Sequence, residues 1–210
     1  MYKRQDQHSL KKLQIFIGYV RLDLRSDADS PTFFPQSFYS NAGEYARLAT
    51  IATHQVFSFA SYPLPQKVNL SVQFNAASGM PYNVTTGFDN NGDGVFNDRP
   101  VYAAGAAGTS TVYATRFGAL SPTGAGAAIG RNAGTLPWNI HLDSNLARTF
   151  ALPHAAGKDG QTLALNLRST NLLNHTNVTA VGGVLGSPLF GEAYQADPGR
   201  RVEVGLRWNF

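Results

Sequence analysis

No cysteine occurs in the chain, which excludes zinc–thiolate centres, disulfide staples and cysteine nucleophiles. Charge is scarce too. Asp, Glu, Lys and Arg make up 14% of the residues, against about 25% in ordinary soluble domains. No apolar run reaches the ~18 residues that would suggest a membrane-crossing helix. The opening MYKRQDQHSLKK has no hydrophobic stretch of the signal-peptide kind. The net charge of +4 is modest and its Lys and Arg are scattered, with no basic stripe interleaved with aromatics, so nucleic acid is not an expected partner. Catalytic signatures are missing as well. There is no G-x-S-x-G and no H-E-x-x-H, and His54, His154 and His175 stand singly near strand ends or loops. The expectation is a non-enzyme with no catalytic residue and no required cofactor.

Glycine is plentiful at 21 residues, yet the mean hydropathy is only −0.19. Low charge without greasiness fits strands that alternate an apolar face with a polar, uncharged one. The last ten residues, RVEVGLRWNF, show it most clearly: Val202, Val204, Leu206, Trp208 and Phe210 alternate with Glu203, Gly205, Arg207 and Asn209. In TLALNLRS, Leu163, Leu165 and Leu167 oppose Ala164, Asn166 and Arg168. In WNIHLDSNLARTF, Trp138, Ile140, Leu142 and Leu146 oppose Asn139, His141, Asp143 and Asn145. KVNLSVQFNA repeats the pattern from Val68 to Phe74. Two more strands are expected near 12–25 and 53–62, where alternation leaves the facing open.

The connections alternate in length. YPLPQK and ALPHAAGKDGQ are short or moderate; 26–52, 79–135 and 174–199 are long and rich in Gly, Ala, Ser, Thr and Asn. Such loops argue against a compact soluble domain. Short turns on one side, long loops on the other and strands of ~10 residues are the pattern of an outer-membrane β-barrel. The expected fold is therefore all-β, an antiparallel transmembrane barrel segment of six strands, or eight if 79–135 holds another hairpin. Tyr62, Trp138, Phe150, Trp208 and Phe210 sit near strand ends, as interfacial aromatic girdles do. Asn139, His141, Asp143, Asn166, Arg168, Glu203 and Arg207 are expected to face the lumen. His141 and Asp143 are read there as wall polar residues rather than as a metal or acid–base pair. Val204, Leu206, Trp208 and Phe210 form an alternating C-terminal stretch ending on an aromatic, of the kind read by the barrel-insertion machinery.

One loop segment, DNNGDGVFNDRP, nearly spells a calcium loop. Asp89, Asn91 and Asp93 alternate and Gly94 follows, but the position wanted by a bidentate Glu is Pro100. Oxygen ligands would be Asp89, Asn91, Asp93, the Val95 carbonyl, and Asn97 or Asp98. The other reading is an Asn/Asp/Gly turn whose side chains cap its own backbone.

Five stretches taken together, ASGMPYNVTTGFDNNGDGVFNDRP, IGRNAGTLPWNIHLDSNLARTF, LRSTNLLNHTNV, GSPLFGEA and GRRVEVGLRWNF, carry a family resemblance in their order and spacing. The chain resembles the closing part of a TonB-dependent outer-membrane transporter, of the Oar-like, carboxypeptidase-regulatory-domain-containing type common in acidobacteria-like genomes. The resemblance covers about residues 11–210. It implies a barrel of about 22 strands around an N-terminal plug, uptake of a scarce nutrient by energy-coupled gating, and location in the bacterial outer membrane. The implied partners are outer-membrane lipid, the barrel-insertion machinery, a solute, and the TonB system acting through a plug absent from this sequence. The chain is accordingly expected to be a C-terminal fragment, with 11–210 as barrel. Residues 1–10 are expected to be disordered or artefactual, since MYKRQ resembles read-through of a sequencing adapter. The alternatives are a small autonomous barrel, acting as adhesin or passive pore, and a soluble calcium-binding β-sandwich. No loop motif is diagnostic of an iron chelate, cobalamin, a glycan or a peptide.

Overall fold

A computed structural model of the chain describes residues 12–103, 112–153 and 160–210. The expectation for residues 1–10 falls outside them. Six long strands form one sheet: β1 Gln14–Arg21, β2 His54–Leu64, β3 Val68–Ala77, β4 Asn139–Ala151, β5 Thr162–Thr170 and β6 Arg201–Asn209. Each pairs antiparallel with its neighbour in sequence, so the sheet is a plain meander. Among the described residues β1 and β6 are paired on one side only.

The register turns the sequence alternation into two faces. A polar row, Gln14, Ser61, Ser71, Asn145, Arg168 and Glu203, runs unbroken across all six strands. On the other face Tyr62, Leu70, Leu146, Leu167 and Val204 form an apolar row from β2 to β6. The apolar row is not covered by other described parts of the chain: Val204 is 70% and Leu206 71% exposed. A soluble sandwich would bury such a face against a second sheet. Here it is left for a solvent that is itself apolar.

The facing of the first two strands is also defined. Ile15, Ile17 and Tyr19 lie with Val56, Ala60 and Tyr62 on the apolar side, while Phe16, Gly18, Phe57 and Phe59 lie on the polar side. Gly18 is required by packing, because a Cβ there would run into the Phe57 ring that covers it. Phe16 and Phe57 then pack with ring centroids 5.6 Å apart.

β2 and β3 are joined by Pro65–Lys67, where Gln66 and Lys67 both take positive φ, 63° and 60°. Two consecutive left-handed residues reverse the chain tightly and match the right-handed strand twist. At the opposite end of the sheet lie three long connections, 22–53, 78–138 and 171–200. The segment 79–135 adds no wall strand among the described residues, contrary to the eight-strand possibility. Its pairings, Val101–Tyr102, Tyr113–Thr115, Gly118–Ser121 and the Pro81–Tyr82 ladder to Gly134–Thr135, span two to four residues. A crossing needs ~9–11.

The hydrophobic core sits in these loops rather than under the sheet. Val84, Leu120, Ile129 and Leu185 are buried together, with Tyr82, Phe117, Ala133 and Phe190 packed around them. The connections 78–138 and 171–200 thus share one small core and form an ordered cap at one end of the wall.

Candidate functional site

The polar wall is the first component. The register places Asn139, His141, Asp143, Asn166, Arg168, Glu203 and Arg207 all on one face. That face carries a concavity of about 810 Å³ whose lining includes Phe59, Gln73, Asp143, Asn145, Arg168 and Glu203. It draws on five adjacent strands, as expected where a sheet curves toward its polar side.

Where β4 emerges beyond the end of β5, over Asn139–Asp143, side chains of the 171–200 connection replace the missing strand. The Asn177 carboxamide accepts from the Ile140 N–H at 2.7 Å and donates to the Ile140 carbonyl at 3.0 Å. Its Nδ2 lies 3.2 Å from His141 Nε2. Asp143 accepts from the Asn171 N–H at 2.9 Å, and the Leu172 N–H donates to the Leu142 carbonyl at 2.7 Å. Asp197 lies 3.4 Å from His141 Nε2 and accepts from Asn139 at 3.3 Å. His141 and Asp143 therefore fasten the base of a loop. His175 joins them through Asn177, and His154 lies outside the described residues.

The second component is a buried charge network that binds the 22–53 connection to 78–138. Glu44 is fully buried and pairs with Arg99 at 2.8 Å. Arg131, also buried, pairs with Asp29 at 2.5 Å, donates to the Glu44 carbonyl at 2.6 Å and to the Ser26 carbonyl, and lies over the Phe33 ring. Asn132 donates to Asp29 at 3.1 Å and to the Arg47 carbonyl at 2.7 Å. Two acids face two bases, so the buried charge is balanced. Sequence reasoning missed this set. The available signal was the scarcity of charge itself: in so uncharged a chain, Arg99 and Arg131 in Gly- and Asn-rich loops call for partners.

The third component is the loop Asp89–Asp98. Asp89 accepts from the Gly92 and Gly94 N–H groups at 2.7 and 2.9 Å, and from Asp93 N–H at 3.1 Å. Gly94, at φ +85°, supplies the left-handed residue the reversal needs. Asp93 accepts from the Val95 N–H at 3.0 Å and the Phe38 N–H at 3.3 Å. Asp98 accepts from the Asn90 and Asn91 N–H groups at 2.6 and 3.2 Å. Asn91 and Asn97 donate to the carbonyls of Gln36, Phe34 and Pro35. No group of three or more His, Asp or Glu side chains suited to a metal occurs among the described residues. Of the oxygens expected to bind calcium, those of Asp89, Asn91, Asp93 and Asp98 accept from backbone amides, as in a self-capping turn, whereas the Asn97 Oδ1 is buried with no hydrogen-bond partner among the described residues.

Amide donation, chiefly from Gly94 and also from Gly92, Asp93 and Asn91, holds the Asp89 carboxyl below the ordinary carboxylate value despite an opposing burial effect. A lowered folded-state pKa stabilises the loop above the unfolded carboxyl range and ceases to do so as pH falls through the lowered value. Asp89→Ala is expected to abolish amide protection at Gly92 and Gly94 at neutral pH, and the wild-type loop is expected to lose the same protection only in acid. Hydrogen exchange with and without millimolar calcium checks both. Protection that appeared only with calcium would reassign the loop as an ion site.

The C-terminal stretch lies on β6. Val204, Leu206 and Trp208 share the exposed apolar face, and Phe210, just past the strand, packs on Trp208 with centroids 5.4 Å apart. With Tyr62 and Phe150 they mark the turn end of the apolar face. At the loop end Trp138 stacks near His54, which also accepts or donates at 2.8 Å with the Tyr19 hydroxyl.

A single curved sheet, apolar and uncovered on one side and polar on the other, with its core displaced into loops at one end, defines a membrane-barrel wall. The family model described as an outer membrane beta barrel domain matches residues 21–203. The chain belongs to that family and is located in the bacterial outer membrane. No curated protein and no solved structure matches it.

Proposed function

We propose that the chain is part of the wall of a TonB-dependent transporter that takes up a scarce nutrient across the outer membrane by energy-coupled gating. The observation that carries this reading is the asymmetry between the two ends of the sheet. At one end the described connection is the tight Pro65–Lys67 turn. The other has three long connections fused into a cap with its own core and buried ion pairs. A cap of that rigidity suits capture of a chosen solute, whereas a passive pore needs only an open mouth. On this reading the polar face lines the lumen. Asn166, Arg168, Glu203 and Arg207 face plug or solute, and Asn139, His141 and Asp143 hold the 171–200 connection against the wall. Further strands pair with the free edges of β1 and β6, because lipid tolerates no open edge. Val204, Leu206, Trp208 and Phe210 serve insertion. The chain itself performs no chemistry.

Reading the DNA upstream of residue 1 tests the proposal. The expected result is an in-frame plug domain behind a signal peptide. A signal peptide immediately ahead of β1 would replace transport with a small autonomous barrel.

A further inference from the structure

We infer that the solute is a neutral oligosaccharide, captured on an aromatic surface of the cap and passed along the amide-rich wall; the inference rests on the transport reading above. Two separate regions lead to the same ligand class.

The first is the cap. Phe34, Phe38 and Tyr39 are 56%, 52% and 87% exposed, and Phe88 and Phe96 are 60% and 67% exposed. A group of exposed large aromatics on a folded loop marks a binding surface rather than a packing accident. These residues come from two connections that hydrogen bonds hold together. Asp93 accepts from the Phe38 N–H, and Asn97 donates to the Phe34 and Pro35 carbonyls. Phe34 and Phe38 pack edge to face at 5.9 Å, so the rings are ordered before any ligand arrives, which reduces the entropic cost of binding. Between the same two connections lies a cleft of about 280 Å³ whose lining includes Gln36, Asn90, Asn91 and Thr123; the Asn90 and Asn91 amides are bonded within the loops, which leaves the Gln36 carboxamide and the Thr123 hydroxyl to meet a ligand. Exposed rings near a carboxamide and a hydroxyl suit a pyranose, which has an apolar C–H face and an equatorial rim of hydroxyls.

The charges exclude the obvious rival. An anionic iron chelate or a phosphate needs uncommitted cations. Arg99, which also borders the cleft, is neutralised by Glu44 at 2.8 Å, and Asp98 is occupied by backbone amides. No free positive charge is offered there.

The second region is the wall. In the concavity Phe59 stands across from Gln73, with Ser71, Asn145 and Asn166 beyond. Its charged groups are Asp143, Arg168 and Glu203, of which Arg168 and Glu203 face each other across β5 and β6. Arg201, whose Nε lies 3.0 Å from Glu203, brings this region to two acids and two bases, so it offers an anion no net attraction. An aromatic ring among carboxamides and a hydroxyl repeats the chemistry of the cap.

The test uses the full-length transporter in lipid nanodiscs, titrated calorimetrically with maltohexaose, cellohexaose, xylohexaose and, as the anionic rival, ferric citrate. At least one neutral hexasaccharide is expected to bind and ferric citrate is not. Replacing Phe34, Phe38 and Tyr39 together by alanine is expected to weaken saccharide binding by about tenfold or more, from the lost ring contacts. All three side chains are exposed, and heat-modifiable gel mobility verifies that the variant barrel is folded. Absence of binding by every hexasaccharide, or unchanged binding by the folded triple variant, overturns the inference. Energised uptake of ferric citrate by cells would also overturn it while leaving transport intact. Absence of TonB-dependent uptake of any of the four compounds, with hexasaccharide binding intact, would instead remove the transport reading beneath it.

Discussion

Replacing Arg131 by alanine is expected to cost about 3–5 kcal/mol, the range seen when one partner of a buried ion pair is removed. The loss follows from the geometry. Arg131 touches Asp29, the Glu44 carbonyl, the Ser26 carbonyl and the Phe33 ring. Its removal leaves the carboxylate of Asp29 without its cation and Glu44 with Arg99 alone. Arg131→Lys is expected to rescue little, since an ammonium cannot reproduce the planar fork that reaches several acceptors at once. Hydrogen exchange on the full-length protein reads the effect: protection should fall across 22–53 and 78–138 while the six wall strands keep theirs. Wild-type protection in those loops would show that the network is not what joins them. Acid should act through the same residues. Burial alone would raise the Asp29 carboxyl, but donation from the Ala49 amide, Arg131 and Asn132 outweighs it and leaves the group below its ordinary value. Its stabilisation is present above the unfolded carboxyl range, near ~3.9, and disappears as pH falls through the lowered value. Without Arg131 part of that lowering is gone, so the variant cap should open at a higher pH than the wild type.

A charge on the apolar face should be the next most damaging change. Leu167 lies near the middle of β5, between Leu146 and Val204. Leu167→Arg is expected to destabilise the barrel by about 2–4 kcal/mol, the cost of a basic side chain near the bilayer midplane. Gln73→Arg, on the polar face and directly opposite Asp143, should change stability by well under half of that. Urea unfolding of the full-length protein in lipid vesicles measures both. The reverse order of effects would mean that lipid and lumen have been assigned to the wrong faces.

How far the sequence was legible depended on the range of the interactions. β5 and β6 could be read directly, because Leu163, Leu165 and Leu167 and their partners Val204, Leu206 and Trp208 contrast sharply with Asn166, Arg168 and Glu203. β1 and β2 could be found but not oriented. Phe16, Phe57 and Phe59 put apolar rings on the polar side, and Ser58 stands on the other, so period two carried no sign. The capped turn at Asp89 was visible because its bonds reach no further than Gly94, five residues on. The Asp29–Arg131 pair was invisible for the opposite reason: 102 residues separate the partners, and only the assembled cap brings them together. The same limit applied to 79–135, where Gly and Ala gave no period and the chain forms short ladders around a local core.

The gathering of the long connections at one end of the wall also bears on what can be attached to the molecule. Six passes through the wall is an even number, so the chain leaves the membrane on the side from which it entered. An affinity tag placed ahead of Gln14 or after Phe210 would sit at the end of the wall opposite the cap, on the side of the Pro65–Lys67 turn, hidden from antibodies applied to intact cells. A tag inserted at the exposed Thr123–Gly124 turn of the cap would be displayed at the cell surface, eight residues or fewer from Arg131 and the ion pairs that hold the cap closed.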